Sequence, residues 1–79
     1  MRLDKFLKVS RLIKRRTVAN EACDGGRVLL NGKAAKPGAD VKEGDTIAIT
    51  LGERTVTVRV RAIAEHVTKD GASDLYEMV

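Results

Sequence analysis

The chain has 79 residues, with 15 Lys or Arg, 11 Asp or Glu and one His, and a formal charge of +4 at neutral pH. That length builds one small domain, which buries only about 60% of the surface its unfolded chain exposes. With 43% apolar and 33% charged residues the composition excludes a disordered chain, and the longest uncharged stretch, Thr46 to Gly52, is far short of the roughly 20 residues of a spanning helix.

In chain order, Leu3, Phe6 and Leu7 fall at i, i+3 and i+4, which predicts a short amphipathic helix from Arg2 to about Val9. Arg2, Lys5 and Lys8 lie on the side opposite its apolar stripe. Ser10 and Arg11 begin a break, and Leu12 and Ile13 anchor the connection in the core. Thr17 is the expected N-cap of a second helix, with Val18, Ala19, Ala22 and Cys23 as its apolar stripe. Asp24-Gly25-Gly26 ends it, because glycine adopts the left-handed conformation at little cost.

From Arg27 onward the period changes to that of strands. Val28–Leu30 and Lys33–Ala35 flank Asn31-Gly32, a strong signal for a type I′ hairpin turn. Pro37-Gly38 and Glu43-Gly44 mark turns around a short extended segment at Val41. Ile47, Ile49 and Leu51 alternate with Thr46, Ala48 and Thr50 in a half-buried strand. Gly52-Glu53 turns the chain into a strand over 55–63, with Val56, Val58 and Val60 inward and Thr57, Arg59 and Arg61 outward. Residues 65–74 are polar and predict a loop, and Leu75, Tyr76 and Met78 predict a last strand. Helices followed by strands give an α+β domain, two short helices packed on a small, mostly antiparallel sheet of four or five strands.

The charge is unevenly placed. Residues 1–16 hold Arg2, Lys5, Lys8, Arg11, Lys14, Arg15 and Arg16 against Asp4 alone, a net +6, whereas residues 17–79 carry a net −2. A one-signed cluster repels itself, and a polyanion relieves that repulsion by neutralisation and counterion release. Those seven cations are the candidate contacts to such a polyanion. Arg suits the task because its planar fork holds two phosphate oxygens, while Lys acts as a point charge.

Other chemistry finds little support. One Cys cannot form an internal disulfide, and with one His it cannot build a zinc site, so no metal or cofactor is expected. Cys23, beside Asp24, reads as a buried structural thiol. Cys23 and His66 fall in different elements without a catalytic motif, no phosphate-binding glycine loop occurs, and no enzymatic activity is expected. His66 reads as surface. Phe6 and Tyr76, the sole aromatics, offer no platform for stacking single-stranded bases. Charges recur from Arg2 through Arg16 where a signal peptide would be apolar, so a cytoplasmic location and no membrane association are expected.

The opening Arg2-Leu3-Asp4-Lys5-Phe6-Leu7, Arg16 at the head of the second helix, Gly26–Lys33 and Val41–Ile47 together resemble the S4 RNA-binding domain. That resemblance covers about residues 1–51 and implies an α-L motif, in which two helices and an adjoining hairpin grip structured RNA. Residues 55–79 would then be C-terminal strands of one domain spanning 1–79. Many members have Ser-Arg where this chain has Arg15-Arg16, which makes its grip more cationic. Arg2 and Arg16 are the family-matched positions, and the hairpin residues Asn31 and Lys33 would also approach RNA.

Residues 1–17 further resemble the stand-alone S4 proteins of bacterial ribosome-associated quality control, a likeness that extends over nearly the whole chain. It implies a ribosome-associated monomer that binds the large ribosomal subunit through 23S rRNA, contacts peptidyl-tRNA on obstructed subunits, and assists alanine tailing by RqcH. Two other readings stay open on the residues alone. One is the recognition module of an rRNA- or tRNA-modifying enzyme system, and the other a nonspecific basic protein for DNA or anionic membranes.

Overall fold

A computed structural model describes residues 1–68 and 70–79. The predicted loop over 65–74 contains Lys69, which lies outside the described residues. The chain runs α1 (Leu3–Val9), α2 (Arg16–Asp24), β1 (Val28–Leu30), β2 (Lys33–Ala34), β3 (Thr46–Leu51), β4 (Arg54–Val60), a 3-10 turn (Ala72–Leu75) and β5 (Tyr76–Met78). The strands form one sheet in the order β2-β1-β3-β4-β5, antiparallel at every pairing.

Helix α1 begins without a side-chain cap. Its first amides are satisfied from elsewhere: Leu3 N–H donates to the Ala39 carbonyl at 2.8 Å and Asp4 N–H to that of Pro37 at 3.0 Å. Lys5 N–H donates to Asp4 Oδ1 at 2.7 Å. A helix leaves its leading N–H groups unpaired, and here the segment 37–39 supplies the acceptors a capping residue would otherwise provide. The same segment is tied further by a bridge between Arg2 and Asp40 and by an ion pair from the Met1 amino group to Asp40 at 2.9 Å.

Helix α2 starts two residues earlier than an N-cap at Thr17 predicts. Arg15 occupies the N-cap position with no side-chain cap bond, and Thr17 lies inside the first turn. At the other end, Arg27 N–H donates to the Ala22 carbonyl and Gly26 N–H to that of Cys23, the paired bonds of a Schellman stop. Gly26 has φ +74°, which a residue with a β-carbon adopts only under strain.

Asn31 and Gly32 have φ of 53° and 84°, as a type I′ turn requires, and Leu30 faces Lys33 across it. Val28 pairs with Ile49 and Leu30 with Ile47, and β4 continues the rows with Val56 and Val58. Ile47, Ile49, Val58 and Val60 form the sheet side of a core that Leu3, Phe6, Leu7 and Ala19 close from the helices.

Two residues read as core lie outside it: Val18 is 45% exposed and Leu51 47%. Val18 flanks the stripe of a short helix and Leu51 lies at the end of β3, and the two line one open hollow that neither element closes. Strand β4 ends at Val60, where Val60 N–H turns to the Asp45 carbonyl. The 3-10 turn overlaps the end of the predicted loop and takes in Leu75, expected in the last strand, and it buries Ala72 and Leu75. Cys23 is buried, and burial, followed by the charges of Asp4 and Asp24, pushes its thiol up to about 11. No helix among the described residues is long and apolar enough to cross a membrane.

Candidate nucleic-acid interface

Asp4 is the organising residue. It sits in the first turn of α1 and is only 2% exposed, drawn inward because its neighbours Leu3, Phe6 and Leu7 anchor the helix. Its carboxylate accepts from Arg2 Nε at 3.2 Å and Nη2 at 3.3 Å. Arg16 approaches from α2, with Nε 3.4 Å from Oδ2 and Nη2 3.5 Å from Oδ1. Asn20, one turn along α2, donates to Oδ2 at 3.4 Å. Burial by itself would raise the acid's pKa, but the bonds from Arg2, Arg16, Asn20 and the Lys5 amide outweigh it and hold the carboxyl below its ordinary range.

This geometry orients two guanidinium groups without consuming them. Each guanidinium has five N–H donors, and the distances to Asp4 exceed the roughly 2.7–2.9 Å of a tight charge-assisted bond. Arg2 and Arg16 remain 55% and 50% exposed. One negative charge faces two positive ones, so the cluster keeps a net positive charge and free donors for an anion. A shallow concavity of about 350 Å³ opens beside it, lined by Asp4, Arg16, Thr17, Asn20 and Glu21.

The other predicted contacts fall into distinct groups. Lys5 pairs with Glu65 from the segment after β4; that bond, then the charge of Lys5, holds the Glu65 carboxyl below its usual range. Lys8, Arg11 and Lys14 line one concavity of about 480 Å³. Together with Arg15 they form no ion pair among the described residues. Arg11 has φ 63°: it holds the left-handed position after α1 that glycine usually fills, and its N–H donates to the Lys8 carbonyl.

Asn31 is engaged within the fold. Its amide oxygen accepts from Thr46 N–H at 3.0 Å and its Nδ2 donates to Asp45 at 3.2 Å. Asp45 in turn accepts from Lys42 N–H at 2.9 Å, so Asn31 locks the hairpin tip to the turn before β3. Lys33 is exposed on the edge strand β2.

Asn20 was not legible as a partner of Asp4; its only sequence signal is the i, i+4 spacing from Arg16. Among the described residues no group of three or more His, Cys, Asp or Glu could hold a metal ion.

The strained Arg11 backbone gives a test that separates binding from folding. A non-glycine residue in that conformation costs about 1–2 kcal/mol, partly offset in a Gly variant by the greater freedom of its unfolded chain. Arg11→Gly is therefore expected to leave the melting temperature unchanged or raise it by up to about 5 °C, while RNA affinity falls several-fold. Thermal melts and RNA titrations on one preparation check both; a clear loss of stability would mean that Arg11 packs rather than binds.

Residues 1–47 match the S4 domain family. Over 99% of its length the chain is 58% identical to the "RQC P-site tRNA stabilizing factor" of Halalkalibacterium halodurans, covering 89% of that protein. It is 49% identical over its full length to the protein of the same name from Bacillus subtilis, of which it covers 92%. Among solved structures, the trimeric Heat Shock Protein 15 of Vibrio cholerae superposes with a TM-score of 0.93 at 32% identity, over 100% of this chain and 81% of that one.

Proposed function

The chain belongs to the S4 domain family, in the branch of the RQC P-site tRNA stabilizing factors, RqcP, and from that premise we propose an RNA-binding role in ribosome-associated quality control. In this reading it binds the large ribosomal subunit through 23S rRNA, stabilises peptidyl-tRNA on obstructed subunits, and so assists RqcH-dependent alanine tailing. It acts as a single copy in the cytoplasm, by binding and without catalysis. The contact set is Arg2, Lys5, Lys8, Arg11, Lys14, Arg15 and Arg16, with Asn31 and Lys33 at the hairpin.

One observation carries the reading: a buried carboxylate presents two half-exposed arginines side by side, in a cationic segment where Lys8, Arg11, Lys14 and Arg15 form no ion pair among the described residues. Holding the guanidinium groups in place lowers the ordering cost of binding, which otherwise runs to about 0.5–1.5 kcal/mol for each long side chain immobilised. Fixed forks at a set separation match phosphate oxygens on a folded RNA, where a loose basic tail would bind any polyanion.

Sucrose-gradient sedimentation of cell extract tests the proposal. The protein is expected to migrate with free large subunits, and to leave them when the extract is raised to high salt. Confinement to the top fractions at low salt would overturn the ribosomal reading.

A further inference from the structure

The concavity between the α1–α2 connection and residues 65–67 is separate from the Asp4 cluster and unlike it in chemistry. Three cations, Lys8, Arg11 and Lys14, converge on it with no ion pair among the described residues. Among the described residues the one acid in its wall, Glu65, pairs with Lys5, which does not line it. Like charges gathered around a hollow repel one another, and an anion in the hollow removes that repulsion.

The remainder of the wall is not built for an anion alone. Val9 and Val67, both half-buried, form an apolar floor, and His66 adds a flat ring. Phe6 is buried in the core and Tyr76 belongs to β5, so His66 is the ring available to a ligand beside these cations. At about 480 Å³ the space falls within the range of small-ligand sites, and an inorganic phosphate would leave most of it empty. A base within a duplex keeps its faces stacked, whereas an unpaired one can lie against a side-chain ring. Arg11 holds its left-handed backbone at the rim, a strain that persists where the surroundings over-determine it and often at a site of function.

We propose that this concavity receives one unpaired nucleotide of RNA, its phosphate held by Lys8, Arg11 and Lys14 and its base laid on His66 over the Val9 and Val67 floor. The proposal rests on the RNA-binding reading above and adds to it a selectivity for RNA with an extruded base.

The test is a fluorescence-anisotropy titration of the full chain with two hairpin RNAs, identical except that one carries a single bulged adenosine. Base stacking on a side-chain ring corresponds to roughly tenfold or more in affinity. The bulged hairpin is therefore expected to bind about tenfold tighter. His66→Ala should abolish that preference, and His66→Phe should keep it, because the contact needs a ring and not a charge. Equal affinity of the unaltered chain for both hairpins would overturn the pocket alone. A preference that survives His66→Ala would overturn the placement of the base. Tight binding of free adenosine monophosphate without preference for the bulge would overturn the assignment to RNA. Failure to bind either hairpin would overturn the RNA-binding reading and the pocket with it.

Discussion

Arg16→Ala is expected to weaken binding to structured RNA by ten- to a hundredfold while the domain stays folded. A hydrogen bond to a charged group contributes about 1.5–3 kcal/mol, and the Arg16 fork is half exposed beside Asp4 and positioned to make such bonds. The fold depends on it little. Arg2, Asn20 and the Lys5 amide still satisfy Asp4 in its absence, and an ion pair with one exposed partner contributes at most about 1 kcal/mol. For a domain of this size that is a shift of about 4–8 °C in melting temperature. Binding of the unaltered chain should weaken with salt at a log-log slope near −3 to −4 if about four phosphates are neutralised, and the variant's slope should be shallower by about one. Arg16→Lys should recover only part of the loss, since a point charge cannot span two oxygens. Anisotropy titrations at several salt concentrations decide the matter: equal affinity in the alanine variant would remove Arg16 from the site.

Local patterns in the sequence foretell the local structure well. Leu3, Phe6 and Leu7 at helical spacing do form the buried side of α1, Asn31-Gly32 does make the hairpin turn, and the alternating Val and Ile residues of β3 and β4 do pair in register. What escapes is long-range. The segment 37–39 caps α1 through main-chain carbonyls, which leave no mark on residue identity. Asp4 is visible in the sequence as the one acid among seven cations, but its junction with Arg16 and Asn20 exists only once α2 packs across α1. Val18 fits a helical stripe yet stays exposed, because periodicity names a stripe without saying how much of it the partner covers. His66 lies in a polar stretch with no motif, and only the return of residues 65–67 to Lys8 and Arg11 gives it a setting. The cationic bias of residues 1–16 is plain in composition, but its division into an arginine pair and a separate lined hollow is a property of the folded chain.

Replacing Asp4 tests whether the arginine pair is prearranged or merely close. Asp4→Ala removes one negative charge from the proposed RNA-facing surface, which by Coulomb's law alone strengthens binding: at about 7 Å in water the repulsion relieved is about 0.6 kcal/mol, less with salt. Against this, two long side chains regain their freedom and must be ordered again on binding, at about 0.5–1.5 kcal/mol each. The second effect is larger, so Asp4→Ala is expected to bind RNA about tenfold more weakly despite its more positive charge. In a double-mutant cycle with Arg16→Ala the losses should fall well short of additive, because both changes break one unit. The same variant reports on stability. Loss of the buried acceptor is expected to cost about 1–2 kcal/mol at neutral pH, and that difference should depend on acidity. The carboxyl of Asp4 titrates below its ordinary 3.8 in the folded chain, so the unfolded chain takes up the proton first as pH falls. Its contribution is therefore complete above about pH 4 and disappears as pH drops through the lower folded value. Urea unfolding of the two proteins at pH 7 and at successive steps below pH 4 should show their stabilities converging in acid. A difference that stays constant down to pH 2 would mean that the Asp4 carboxylate does not hold Arg2 and Arg16, and that the proposed prearrangement of the interface is absent.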